Sequence, residues 1–359
     1  MLYYDIDVDS INISKLYAER IKEKKGLSSR EKILNSFGID DFLYSYLVKE
    51  KEMSEFKYKS LREIKEMNLE SVKEYYKFLR QYEFENGVPI DKGVQTRELL
   101  HPICLGSIEL DGAIKKRKIH IINDSSHEIN KPVLYVSNHI GRFDVEACFE
   151  AIRKHAYLFI GDPEDLYKSF AGLLLYANGM IVLETDDKID RFIAKERAIE
   201  LLRAGKSVLM YPEGAWNLSI NKIIMPLYAG AVEIAMKSGV EIVPMAIEQK
   251  GSEFYVNIGE NLDLSNVKFE ERFEYSQKLR DILATLRFGL WEEFMIEKRE
   301  NVLQNYDDYV SKIMSESEFI YTADDAFKSY FKNGDSPEEV FSFIQKLEPN
   351  KNNAFLLKK

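Results

Sequence analysis

The sequence predicts an α/β fold, a mostly parallel sheet flanked by helices, with helical N- and C-terminal extensions. Three observations carry this prediction. Short runs rich in β-branched and aromatic residues alternate with helical stretches between about residues 105 and 264. The segments on either side keep an apolar period near 3.6 residues. And 359 residues that are 45% hydrophobic and 31% charged supply apolar material for one large domain with additions, or for two domains. The divisions expected are a helical region over 1–104, an α/β domain over 105–264 and a helical region over 265–359.

In chain order, Ser28 and Glu31 form a capping-box pattern, in which each side chain satisfies an amide left open at a helix start. Leu61, Ile64, Val72, Tyr76 and Leu79 then fall near one helical face. Strands are expected at 119–122, 133–136, 207–211, 241–243 and 254–256, where β-branched and aromatic residues cluster. Helices are expected over 144–155, 189–204 and 229–238, the last two closed by Gly205 and Gly239. A very apolar helix follows Asp162-Pro163-Glu164 through Leu166, Phe170, Leu173 and Tyr176; it suits a buried core position, the lining of an acyl slot or a bilayer contact. Leu279, Ile282, Leu283, Leu286, Leu290 and Phe294 mark a later helix, and Ser336-Pro337-Glu338-Glu339 announces a last one.

Composition removes several classes of function. Fifty Lys and Arg against sixty Asp and Glu give a net charge of −10, the wrong sign for a nucleic-acid binder. Two cysteines, Cys104 and Cys148, form no metal or redox motif, so a reducing compartment is expected. No run approaches the roughly 20 apolar residues that span a bilayer, and Asp5, Asp7 and Asp9 stand where a secretory signal would be basic. The expected location is therefore cytoplasmic. Peripheral attachment to the inner face of a membrane is compatible with it, because Lys115-Lys116-Arg117-Lys118 is the one tight basic run; a solvated turn is the commoner use of such a run.

Two turns concentrate the chemistry. Asn138-His139-Ile140-Gly141-Arg142-Phe143-Asp144 leaves a strand end and enters a helix, the place where open α/β sheets bind ligands. A neutral imidazole at His139 serves as general base, and a carboxylate such as Asp144 fixes its tautomer. Residues five apart do not share a helix face, but a loop histidine and an aspartate in the first helical turn can meet. Tyr211-Pro212-Glu213-Gly214-Ala215-Trp216-Asn217 follows a second strand: proline stops the strand, glycine permits a tight turn, and a glutamate there accepts a hydroxyl hydrogen bond. Each turn alone also has an ordinary reading, a capping aspartate in one and plain turn composition in the other.

Asn138-His139 to Asp144, Gly179-Met180-Ile181-Val182-Leu183, Tyr211-Pro212-Glu213-Gly214 and Val243-Pro244-Met245-Ala246-Ile247 stand in the order and approximate spacing of four motifs. Across about residues 117–262 the sequence resembles the lysophospholipid and glycerol-3-phosphate acyltransferase family. The resemblance implies fatty acyl transfer from a coenzyme A or carrier-protein thioester, a co-substrate rather than a cofactor, to the hydroxyl of a lysophospholipid, glycerol phosphate, glycolipid or polyol. His139 would be the base and Asp144 its orienting partner, with Asn138, Gly141, Arg142, Glu213, Gly214 and Trp216 binding substrate; no metal is implied. The chain lacks a G-x-S-x-G elbow, which favours direct attack over an acyl-serine intermediate. Val243-Pro244 serves either the core or the chemistry.

Three positions depart from the family pattern. Gly141 stands where serine is frequent, and Thr185 and Trp216 stand where arginine is frequent. Arginine suits a phosphate because its planar fork donates two parallel bonds, so these departures shift the expected acceptor toward a neutral or glycosidic hydroxyl, with Arg142 and Arg191 as possible substitutes. Two rival functions remain, an acyl thioester hydrolase and a lipid-binding scaffold on an inactive acyltransferase fold.

Overall fold

The computed structural model describes residues 58–90, 94–126, 131–141, 143–161, 170–217 and 222–294. The expected caps at Ser28 and Ser336, the Asp162-Pro163-Glu164 helix start and Arg142 lie outside these residues. The described residues divide into two compact units, one made of 58–90 and 183–194, the other of the described residues within 94–182 and 195–294.

In the first unit, α1 (Leu61–Glu66) starts at Ser60, whose hydroxyl and backbone N–H trade bonds with Glu63 in a capping box. A fresh cap then begins a second helix: Asn68 accepts from Ser71 N–H and opens α2 (Leu69–Glu85). This break resets the apolar phase, so α2 buries Val72, Tyr75 and Phe84, whereas Tyr76 and Leu79 of the expected stripe are only half-buried. Phe84 meets Phe192 edge-on with ring centroids 6.2 Å apart. Arg80 forks onto the buried Asp190 through bonds of 3.1 and 2.7 Å.

The second unit opens with α3 (Val94–Ile114), a continuous helix that runs through the boundary expected at residue 104. There follow β1 (Lys118–Asp124), β2 (Leu134–Ser137), α4 (Asp144–Ile152), β3 (Ala156–Gly161), α5 (Phe170–Asn178) and β4 (Met180–Leu183). The chain continues with α6 (Lys188–Arg203), whose residues up to 194 belong to the first unit, and then with β5 (Ser207–Met210), α7 (Gly230–Ser238), β6 (Ile242–Lys250), β7 (Glu253–Ile258) and α8 (Arg272–Phe294) of the second. One seven-stranded sheet has the order β1-β7-β6-β2-β5-β3-β4. β2 pairs in parallel with both β5 and β6, β3 with β5 and β1 with β7, while β6 and β7 are antiparallel. The mostly parallel α/β fold is therefore present, with β3 and β4 added to the expected strands.

The middle strands are buried on both faces: Leu134, Val136, Val208, Leu209, Val243 and Met245 are shielded from solvent, as parallel strands covered by helices require. β6 is far longer than the three residues expected, because it runs on through Pro244. Val243, Met245, Ala246 and Ile247 are completely buried, so the fourth motif packs the core. In the second motif, Gly179 has φ +108°, and a Cβ there would meet the Tyr157 ring at 2.6 Å. Its carbonyl accepts from Leu158 N–H of β3 at 3.1 Å.

Gly179→Ala is expected to destabilise the chain by about 1–3 kcal/mol, since it adds both backbone strain and a clash with a packed ring. Urea unfolding measures this; an unchanged midpoint would contradict the packing described.

Candidate active site

β2 and β5 lie side by side and parallel, so the turns that leave their carboxyl ends emerge together. The first turn carries His139 and delivers the chain to Asp144, the first residue of α4. Asp144 is wholly buried, yet its Oδ2 accepts three bonds: from His139 Nδ1 at 2.7 Å, Ile140 N–H at 2.7 Å and Gly141 N–H at 3.1 Å. The helix N-terminus adds a favourable field for the carboxylate. Asp144 Oδ1 is buried without a partner among the described residues. Since a carboxylate accepts at Nδ1, the neutral ring carries its proton there and presents Nε2 as the basic atom. The His139 side chain keeps 21% exposure, and Nε2 has no partner among the described residues.

Aromatic groups wall the imidazole. The Tyr211 ring stacks on it at 4.4 Å and 24°, and Trp216 stands edge-on at 6.0 Å. Behind the ring, Cys148 is fully buried with Sγ 3.7 Å from Ser137 Oγ, and burial pushes its thiol up to about 12. It is packing rather than a nucleophile. Cys104 is likewise free and buried.

Asn138 and Glu213 are buried beneath the site. The Asn138 amide donates to Ile247 C=O at 3.0 Å and accepts from Ile247 N–H at 2.8 Å, tying the first turn to β6. Glu213 Oε1 accepts from His139 N–H at 3.0 Å and Oε2 from Met225 N–H at 2.7 Å. At 0% and 1% exposure neither faces solvent, so both hold backbone where the sequence suggested substrate contact. Asn217, unassigned in the sequence, donates its N–H to His139 C=O at 2.6 Å. Gly214 has φ +69° and lies so close to Tyr228 that a Cβ would meet its ring at 2.7 Å. Gly141 contributes its N–H to Asp144. Arg191 bonds the Thr185 carbonyl inside the first unit.

Burial pushes the Glu213 carboxyl up from the ordinary 4.5 to about 7, opposed by the Arg287 guanidinium and the two N–H bonds. Among the described residues, no group of three or more His, Cys, Asp or Glu side chains is placed to hold a metal ion.

The acyltransferase family model matches residues 115–248. A 1-acyl-sn-glycerol-3-phosphate acyltransferase of Chlamydomonas reinhardtii is 28% identical over 123 residues, 34% of this chain and 36% of that protein. An enzyme of the same name from Borreliella burgdorferi is 28% identical over 156 residues, 41% of this chain and 58% of that protein. A chloroplastic one of Brassica napus is 30% identical over 135 residues, 36% of this chain and 38% of that protein. The chain thus spans less than two thirds of the length of these curated relatives. The crystal structure of the 1-acyl-sn-glycerophosphate acyltransferase PlsC from Thermotoga maritima superposes with a TM-score of 0.46 at 15% identity, over 54% of this chain and 80% of that chain.

The raised Glu213 value has a consequence for stability. The native state keeps a proton that the unfolded chain releases between about pH 4.5 and 7, so this group's contribution is full on the acid side and is lost as pH rises through about 7. Glu213→Gln removes the titration, and the Tm of the variant relative to wild type should therefore rise between about pH 5 and about pH 8. A Tm difference that stays constant over that range would contradict the assignment.

Proposed function

Because the chain belongs to the PlsC-like acyltransferase family through its residues 115–248, we propose that it transfers an acyl group from a thioester donor to an acceptor hydroxyl at His139. The observation that carries this reading is the 2.7 Å bond from His139 Nδ1 to the buried Asp144, which leaves Nε2 as the accessible base. Nε2 takes the proton as the acceptor oxygen attacks the thioester carbonyl, and Asp144 stabilises the resulting imidazolium. Collapse of the tetrahedral intermediate expels the thiolate of the donor, which recovers the proton from His139. An ester and a free thiol result, with coenzyme A or a carrier protein as the leaving group and no resident cofactor consumed.

A lysophospholipid hydroxyl is the acceptor that the relatives' names support, since they are 1-acyl-sn-glycerol-3-phosphate acyltransferases. A second reading, a neutral polyol or glycosidic hydroxyl, is favoured by one observation: Trp216, an uncharged indole, stands 6.0 Å from His139 where a phosphate would call for a cation.

Contact with a lipid surface is supported by α3. Leu99, Ile103, Leu110 and Ile114 are 78%, 64%, 63% and 73% exposed, and their spacing places them on one face of the helix. Lys115, Lys116 and Lys118 are exposed just past its end, near enough to add to attraction by anionic headgroups, though Lys115 also pairs with Asp111 at 2.9 Å and Lys118 with Glu253 at 3.2 Å; Arg117 turns inward to Glu150 at 3.0 Å. No helix among the described residues is long and apolar enough to cross a membrane.

Incubation with acyl thioesters and candidate acceptors, with the product identified by mass, tests the chemistry. His139→Ala should lower transfer by about 100-fold to 10,000-fold with the fold retained; transfer at the wild-type rate would refute the base, and thioester loss without an acylated product would identify a hydrolase. A preference for lysophosphatidate over non-phosphorylated acceptors would exclude the second reading. For the surface, Ile103→Asp combined with Leu110→Asp should weaken sedimentation with vesicles containing anionic phospholipid, and wild-type binding should fall with added salt. Undiminished binding by the double variant would remove α3 from the contact.

A further inference from the structure

Arg287 sits in α8, 4% exposed, and a buried guanidinium is costly unless every donor finds a partner. Its Nε and Nη2 bond Glu248 Oε2 at 2.9 and 2.8 Å, and its Nη1 donates to Ile223 C=O at 2.5 Å. Trp291, one turn on, donates from Nε1 to the same Glu248 oxygen at 2.6 Å. Arg280, two turns back on the same helical face, donates from Nε and Nη2 to Ile224 C=O at 3.0 and 2.7 Å. Two arginines of one helix thus grip adjacent carbonyls of the short segment 222–225.

The other side of that segment faces the site. Asn217 Nδ2 donates to Lys222 and Ile223 C=O, both at 3.1 Å, and Met225 N–H is bound by Glu213. Asn217 and Glu213 are the residues that hold the backbone C=O and N–H of His139. Replacing a buried ion pair by apolar groups generally costs little stability, so stability is a weak reason for three charged side chains here. What their bonds do fix is the position of the Ile223 and Ile224 carbonyls.

We infer that Arg287 and Arg280 are positioning residues for His139: by fixing segment 222–225 from α8, they set the Glu213 and Asn217 bonds that aim its imidazole. Both arginines lie beyond residue 248, where the family match ends. The inference rests on the reading of His139 as the base. It also has an electrostatic side. The charged groups facing Glu213 are Arg287 from α8 and His139 from the turn after β2. An ionised Glu213 accepts both N–H bonds most strongly, because protonation puts a donor hydrogen on one oxygen and weakens it as an acceptor. Loss of the Arg287 charge would favour that protonated form.

The test compares Arg287→Lys with the double variant Arg287→Met, Glu248→Gln, which removes the ion pair as a pair and so protects the fold. The double variant should lose about 10-fold to 100-fold in kcat with little change in KM for the thioester, as expected for a misaimed group. Its acid limb of kcat should move up, by less than loss of the Arg287 charge alone would give, because Glu248→Gln removes an opposing negative charge beside it. Arg287→Lys keeps the cation and should keep the limb near that of wild type, with kcat in between. A carboxyl carbon NMR titration of Glu213 should show the same upward shift without substrate, so the inference is decided even if wild type makes no acylated product. A folded double variant with wild-type kcat, an unmoved acid limb and an unmoved Glu213 titration would overturn it.

Discussion

The site depends on one buried carboxylate. Asp144 is removed from water at the head of α4, a position that is costly for a charge without compensation. Three N–H donors converge on its Oδ2, and two of them are backbone groups of the loop it closes. The loop cannot open without leaving that oxygen unsatisfied, so a demand of folding also sets the orientation of His139. α4 is anchored in turn by Ala147, Cys148 and Phe149, which are buried in the core alongside Val243 and Met245 of the sheet. Placement of the base is thereby transmitted from the centre of the molecule.

The second constraint comes from sheet order. With β5 beside β2, Glu213 passes beneath His139 and accepts its backbone N–H, while Tyr211 covers the ring face. Asn138 bridges to β6 on the other side of β2. The imidazole is thus fixed through its Nδ1, its backbone and one face, and Nε2 is the atom left to react. An arrangement of this kind is ordered before substrate arrives, which is where positioning of a base gains its effect.

Much of this was legible in the sequence because the signals are local. The His139 and Asp144 pair follows a recognisable strand end, and Pro212-Glu213-Gly214 follows another, so their shared edge could be read from alternating strands and helices. The supports were not legible, because they join residues far apart in the chain. Asn138 meets Ile247 and Arg287 meets Glu248, with separations of 109 and 39 residues that no periodicity encodes. Glu213 is expected to face substrate because its turn sits at the ligand edge; its burial against the backbone N–H groups of His139 and Met225 is a tertiary property that the turn does not encode. β4 follows the very apolar α5 after the single residue Gly179, so its apolar run does not stand apart from the helix by pattern, and Pro244 hid the length of β6. The capping signal at Asn68 was present in the sequence and explains why the apolar phase of α2 differs from that of α1.

The most direct measurement of the central claim is the tautomeric state of His139, read from nitrogen-15 shifts and couplings of the histidine-labelled protein at a pH where the ring is neutral. The account predicts that the proton resides on Nδ1, held by Asp144, with Nε2 bare and available as base, and that Asp144→Ala abolishes this preference. A neutral ring carrying its proton on Nε2, or a preference for Nδ1 that survives loss of the Asp144 carboxylate, would contradict it.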